Sequence, residues 1–156
     1  MSTNYSGSFC QDAFWDLSVT WYTKNPDFTT CFHQTALVYI PSVILLASAS
    51  LTLYYASASK NRLLPWCPTV LAKIGLNALL IFLTVTDLFY AVKVNKNDDP
   101  DYVYPVHWVA SLVKCCSFSV ALALLLLCVR KGIVASGTLF LYWALEALFG
   151  AVTFRY

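Results

Sequence analysis

Residues 104–129 read YPVHWVASLVKCCSFSVALALLLLCV, a run whose only Asp, Glu, Lys or Arg residue is Lys114. A helix needs about 20 apolar residues to cross the roughly 30 Å hydrocarbon core of a bilayer. This run is therefore long enough to span a membrane. Three further runs of the same kind lie at about 34–58, 70–92 and 133–154.

The composition agrees with an all-α membrane protein built as a four-helix transmembrane bundle. Hydrophobic residues make up 59% of the chain and charged residues 12%, against about a quarter charged in a soluble domain. The net charge of +2 includes no dense basic tract that could follow a phosphate backbone, which argues against a nucleic-acid partner. The predicted domains are an extracellular tail over 1–33 and a transmembrane domain over 34–156.

The charges in the loops predict the orientation, because short cytoplasmic loops retain Lys and Arg. The acids lie mainly in the tail and in the loop at 93–101, so the N-terminus is expected outside. An even number of spans then leaves Arg155 and Tyr156 outside as well, an ending that we expect to be a truncation. Two loops carry basic residues and no acid: Lys60, Arg62, Arg130 and Lys131.

Two covalent modifications are predicted in the external tail. Cys10 and Cys31 lie where oxidation is permitted, and a disulfide between them would restrict the unfolded tail by about 3 kcal/mol in the chain-entropy model. Two free thiols are the alternative. Asn4 begins the only Asn-x-Ser/Thr sequon and is a possible glycosylation site.

Ionisable residues inside the spans are costly and therefore informative. Asp87, Lys114 and Glu146 belong to three different spans, and counting about 1.5 Å per residue places all three in the outer half of the membrane. They are predicted to form an intramembrane polar cluster. The functional interpretation is a substrate or proton site; an ion pair that fixes helix packing is the plainer interpretation and is favoured.

No residue pattern indicates an enzyme. The run from Gly132 to Thr138 has the glycine spacing of a phosphate-binding loop but lacks its lysine, and two histidines give little support for a metal site. No catalytic residue, metal ligand or cofactor is predicted in this chain. Two pairs of small residues are instead predicted to allow close helix packing, because the members of each pair lie four residues apart on one helix face. The pairs are Gly132 with Ser136, and Ala147 with Ala151.

Several motifs resemble the N-terminal accessory transmembrane domain of the multidrug resistance-associated proteins, subfamily C of the ABC transporters. The similarity covers most of the chain and is strongest in the tail, where order and spacing both agree. The motifs are Phe14-Trp15-Asp16, Val19-Thr20-Trp21, Asn25-Pro26-Asp27-Phe28-Thr29, Asp87-Leu88-Phe89-Tyr90 and Arg130-Lys131-Gly132.

This resemblance implies an external N-terminus and a matched pair of tail cysteines at Cys10 and Cys31. It places Ser18 where relatives commonly carry a glycan sequon, so Asn4 is not the equivalent site. Family members continue with a fifth span, a transport core and two domains that bind ATP and Mg; they export organic anions, glutathione conjugates and drugs, typically at the plasma membrane. The chain is therefore expected to be truncated after the fourth span and to pump nothing alone.

The leading functional hypothesis is a membrane-embedded accessory domain, or a fragment of one, that acts in interaction and trafficking. Its expected partners are the lipid bilayer and the core domains of an ABC transporter, or another membrane protein. One alternative is a self-contained four-span channel or carrier that uses Asp87, Lys114 and Glu146. Another is a tetraspanin-like scaffold, which would keep both termini inside, opposite to the charge bias.

Overall fold

A computed structural model describes residues 9–10, 14–22, 28–58, 67–96, 105–133 and 136–153 of the chain. All regular structure in these ranges is helical. The expectation of an all-α bundle is confirmed. The helices are α1 (Leu17–Thr20), α2 (Thr30–Ala58), α3 (Pro68–Lys96), α4 (Pro105–Arg130) and α5 (Gly137–Thr153).

Three of these helices, α2, α3 and α4, are long and apolar enough to cross a membrane. The fourth apolar helix, α5, has 17 residues, at the lower end of the roughly 17 to 25 that a transmembrane helix needs. It begins at Gly137, four residues later than the expected start of the fourth span. The architecture is a membrane helical bundle.

Two local motifs set helix ends that the apolar pattern does not mark. Thr29 caps α2, because its Oγ1 accepts the N–H of Phe32 at 3.3 Å. At the end of α4, Gly132 takes a φ of 67°, its N–H bonds the Val129 carbonyl, and the N–H of Ile133 bonds the Cys128 carbonyl. This pair of bonds is a Schellman motif, which ends α4 and delays the start of α5.

Helices α2 and α4 run parallel to each other as the central pair of the bundle. At the end where both begin, which we call the tail end, Cys31 and Val106 share a buried cluster. About three turns further along each helix, Ser117 Oγ donates to Ser42 Oγ at 2.7 Å. The two helices therefore keep one register over about three turns, with both N-termini at the same end.

A double-mutant cycle at Ser42 and Ser117 is expected to give a coupling free energy of about 0.5 to 1.5 kcal/mol. The two hydroxyls are buried between α2 and α4, and their bond to each other is the only one that either makes to a different described helix. The measurement is unfolding of the detergent-solubilised chain by SDS. Ser119→Ala is the matched control, because Ser119 is exposed and bonds only its own helix, at the Cys115 carbonyl. A coupling of zero would mean that the hydroxyls do not hold α2 to α4.

Helix α3 packs against α4 along a narrow seam. The seam repeats every seven residues, as in a coiled coil. Asn77, only 2% exposed, bridges the two helices: its amide donates to the Phe118 carbonyl at 3.2 Å and accepts the Leu122 N–H at 3.3 Å. The buried residues of α3 are Val70, Asn77, Thr84 and Ala91.

Helix α5 completes the bundle by packing antiparallel to α2. Near one end of this contact Thr52 Oγ1 and Thr138 Oγ1 share a hydrogen bond of 2.7 Å. The helices thus lie in the order α3, α4, α2, α5, with the core between the last three. The buried core residues are Leu45, Phe118, Ala121, Leu124, Cys128, Leu139 and Tyr142.

Candidate functional site

Lys114 of α4 and Glu146 of α5 carry opposite charges that attract each other electrostatically, and we call these two residues the charge pair. Both side chains are partly buried. Lys114 lies nine residues after the start of α4 and Glu146 seven residues before the end of α5, so both lie about 10 to 14 Å from the tail end. The antiparallel helices therefore bring opposite charges to one depth, where each alone would be costly.

Asp87 lies apart from this pair. Its side chain is exposed on α3, the helix that packs mainly against α4 on the side away from α5. The structure thus brings together two of the three residues of the predicted polar cluster. Participation of Asp87 stays a prediction.

An aromatic group covers the charge pair on the side away from the tail end. Phe118, one turn after Lys114, stacks on Trp143 with ring centroids 5.9 Å apart. Tyr142, one turn before Glu146, is fully buried and meets the edge of Phe118 at 6.5 Å. No described residue lies at the distance and angle of a hydrogen bond to its hydroxyl. The pair is therefore shielded on one side by rings.

The outward face of α5 carries an apolar stripe that no described helix covers. Ala147 and Ala151, which the sequence predicts to allow close packing, lie on this stripe with exposed side chains. Their packing partner would have to come from outside the bundle. We call this surface the α5 outer stripe; it consists of Gly137, Phe140, Leu141, Ala144, Ala147, Leu148 and Ala151.

Gly132 and Ser136 occupy places different from the predicted packing face. Gly132 ends α4 with a left-handed conformation, and Ser136 immediately precedes α5. Ser136 Oγ hydrogen-bonds Thr138 Oγ1 at 2.7 Å. Because Gly132 ends one helix and Ser136 precedes the next, these two residues do not share a helix face. The four-residue spacing is accounted for by the cap of one helix and the start of the next.

The structure holds the tail at the tail end of the bundle. A disulfide joins Cys10 to Cys31, and the two cysteines are buried with Val106 of α4. The carbonyl of Phe9 accepts the N–H of Val106 at 3.3 Å. The possible glycosylation site, Asn4, lies outside the described residues.

Sequence reasoning missed the polar residues that join the helices. Asn77, Ser42 and Thr52 lie in apolar runs and carry no charge, so they do not stand out in composition. A signal was nevertheless present for Asn77, because it lies seven residues from both Val70 and Thr84 on one seam. A polar residue in the seam of a coiled coil commonly fixes register. The serines and threonines carry no comparable signal.

Comparison with known proteins assigns the chain to a family. The family model described as the ABC transporter TMD0 domain matches residues 8–156. Rat ATP-binding cassette sub-family C member 2 is 31% identical over 150 residues, or 94% of this chain. The mouse sub-family C member 3 is 29% identical over 145 residues, or 91% of this chain.

A more distant relative extends the comparison. ABC transporter C family member 8 of Dictyostelium discoideum is 26% identical over 157 residues, or 94% of this chain. The chain spans 9% of the length of each of these curated relatives, and the matched region lacks the nucleotide-binding domains. The family match covers nearly the whole chain, all four long helices included. This chain belongs to the ABC transporter TMD0 domain family.

Proposed function

We propose that the chain is the accessory membrane domain of a subfamily C ABC exporter and acts by docking on the exporter's transport core. The observation that carries the proposal is the family match over residues 8–156, joined to a bundle with one unpartnered packing face. The relatives' names describe ATP-binding cassette proteins. ATP hydrolysis and the choice of cargo among organic anions, conjugates and drugs would then belong to the core.

The α5 outer stripe is the surface best suited to this docking. Gly137, Ala144, Ala147 and Ala151 recur at intervals of seven, three and four residues, so they share one face of the helix. Small residues on a membrane helix let a second helix approach closely, and close approach is what drives helix association in lipid. The small residues of the stripe therefore leave room for a partner helix beside Phe140 and Leu148, which project from the same stripe.

The outer surface of α3 is a poorer candidate. Large apolar side chains outnumber small ones among its exposed residues, and they include Leu76 at 64%, Phe82 at 63% and Phe89 at 72% exposure. Such side chains are as well solvated by lipid tails as by another helix, because lipid removes the hydrophobic drive for association. We infer that α3 faces lipid and that α5 faces the core.

The charge pair supports an interaction role over a carrier role. Lys114 and Glu146 attract each other electrostatically within the bundle, and Phe118 and Tyr142 lie next to them on one side. A carrier needs a charge that can exchange its partner for a transported ion. A pair held between α4 and α5 instead fixes the position of α5, and with it the α5 outer stripe.

Capture of a transport core tests the proposal. The full chain, carrying an affinity tag, is co-expressed with a subfamily C core made without its own accessory domain, and the complex is isolated in mild detergent. Ala147→Leu is expected to reduce capture about tenfold, equivalent to roughly 1.4 kcal/mol of binding. The amount of core at the plasma membrane, measured in the same cells by surface biotinylation, is expected to fall in parallel.

Ala78→Leu is the matched control, since Ala78 is an exposed alanine on α3. It makes the same change in a surface assigned to lipid, so capture is expected to stay at the wild-type level. Failure of the unmodified chain to capture the core would contradict docking altogether. Equal losses at Ala78 and Ala147 would place the interface elsewhere on the bundle.

A further inference from the structure

The tail is fixed against the first turn of α2 by contacts of three kinds. The Cys10–Cys31 disulfide is covalent. Thr29 Oγ1 donates to the Phe14 carbonyl at 2.7 Å, across a sequence separation of 15 residues. Four aromatic rings then pack together over this turn. The rings are Phe14, Trp15, Phe28 and Phe32.

These rings form a stacked group with defined geometry. Phe32 in the first turn of α2 is the centre: it stacks on Phe28 with centroids 5.0 Å apart and meets Trp15 edge-on at 5.3 Å. Aromatic pairs in these stacked and edge-on arrangements stabilise one another beyond the area that they bury. The group therefore holds the described part of the tail at one height on the bundle.

The tail also exposes large apolar and aromatic side chains, including two of the packed rings, Phe14 and Trp15. Trp21 is 77% and Tyr22 83% exposed. The only Asp, Glu, Lys or Arg in the described tail, at 9–10 and 14–22, is Asp16. We call this surface the tail aromatic surface; it consists of Phe9, Phe14, Trp15, Leu17, Trp21 and Tyr22.

The length of α2 sets the height of this surface relative to a bilayer. With 29 residues, α2 extends about 43 Å at 1.5 Å per residue, which exceeds the roughly 30 Å of hydrocarbon. With the excess shared between its two ends, its first turn lies in the headgroup region. Trp108, near the start of α4, is also partly exposed at this end of the bundle.

We propose that the tail aromatic surface is inserted into the headgroup region of the bilayer and anchors the tail end of the bundle at the interface. Trp and Tyr are enriched at this depth because their rings are apolar and their N–H and O–H groups remain hydrated. The surface carries no described Lys or Arg, so its partner is a zwitterionic lipid such as phosphatidylcholine rather than an anionic one. This anchor works in the chain alone and does not depend on docking to a core.

Tryptophan fluorescence tests the anchor at Trp21. The full chain is reconstituted into phosphatidylcholine vesicles in which bromine atoms lie either near the headgroup or deep in the acyl chains. The difference between wild-type and Trp21→Phe emission isolates the signal of Trp21. Its emission is expected to be blue-shifted from that of an aqueous indole and to lose on the order of half its intensity to the shallow bromines, with a smaller loss to the deep ones.

Trp143 provides the internal reference, because it lies at the charge pair within the bundle, and Trp143→Phe isolates its signal in the same way. It is expected to show no preference for the shallow bromines. Trp21 emission that is red-shifted and unquenched in both vesicle types would overturn the proposal, since the tail would then lie in water. Blue-shifted emission that the bromines leave unchanged would also overturn it, since a protein surface would then cover Trp21.

Trp15→Phe gives a second, independent measurement in case the Trp21→Phe variant does not fold. Phenylalanine preserves the ring packing on Phe28 and Phe32, and the wild-type minus Trp15→Phe difference is expected to show the same shallow quenching. Replacing half of the phosphatidylcholine with phosphatidylserine is expected to leave both signals unchanged. A marked increase in quenching in the anionic vesicles would overturn the choice of a zwitterionic partner.

Discussion

The Glu146→Gln variant is expected to lose about 2 to 4 kcal/mol of unfolding free energy, the largest effect of a single substitution in this bundle. Glutamine keeps the shape of the side chain and its hydrogen-bonding capacity, so the main change is electrostatic. Lys114 then remains partly buried between α4 and α5 without its counter-charge. The measurement is SDS-induced unfolding of the chain in mixed micelles, followed by circular dichroism.

A second substitution separates the loss of charge from the loss of packing. In the Lys114→Met/Glu146→Gln double variant both charges are absent, and stability is expected to return to within about 1 kcal/mol of the wild type. A charge reversal, Lys114→Glu with Glu146→Lys, is expected to recover part of the loss as well. If the double variant is as unstable as Glu146→Gln alone, the two charges are not coupled.

Asp87→Asn is the matched control for Glu146→Gln, because both replace a carboxylate with its amide in a membrane helix. The exposed position of Asp87 on α3 predicts a change within about 0.5 kcal/mol. A loss as large as that of Glu146→Gln, again rescued by Lys114→Met, would restore the three-residue cluster that the sequence predicts. The comparison therefore decides between a pair and a cluster.

The apolar runs predict the helices well because a bilayer demands a continuous run of about 20 such residues from each span. Their ends are less predictable. α2 begins at Thr30 rather than 34 because the Thr29 hydroxyl and the packed tail extend it. α5 begins at Gly137 because Gly132 ends α4 with two specific hydrogen bonds. Both differences depend on local caps, which hydrophobicity does not measure.

Helix order and register could not be predicted from the same runs. Four apolar helices can pack in many arrangements, since lipid solvates their faces almost equally well. The observed order is set by hydroxyl and amide contacts such as Ser42 with Ser117 and Asn77 with the α4 backbone. Individual serines and threonines occur throughout the runs, so their partners become apparent only in the fold.

Charge gave a better guide to the candidate site than hydrogen bonding did. Lys114 and Glu146 stand out because ionisable residues are rare in spans, and depth counting placed them at one level. The same counting included Asp87, because depth takes no account of the direction in which a side chain points. The face of a helix is determined by its neighbours, and the side chain of Asp87 is exposed on α3.

The Cys10→Ser/Cys31→Ser variant is expected to release the tail without unfolding the bundle. The disulfide closes a sequence separation of 21 residues, which in the chain-entropy model restricts the open tail by about 3 kcal/mol. Amide exchange between 14 and 22 is therefore expected to accelerate by about 100-fold, while exchange in α4 stays unchanged. Hydrogen exchange of the reconstituted chain, read by mass spectrometry, measures both regions at once.

The size of this acceleration ranks the disulfide against the noncovalent contacts of the tail. The aromatic group and the Thr29 hydroxyl together supply a few kcal/mol at about 0.5 to 1.5 kcal/mol per contact, comparable to the disulfide. Cys115→Ser/Cys116→Ser is the control, since both thiols are free and lie within α4. Exchange that stays at the wild-type rate without the disulfide would show that the rings and the Thr29 hydroxyl together hold the tail. Thr29→Val, which removes the bond to Phe14, would then be the variant that releases it.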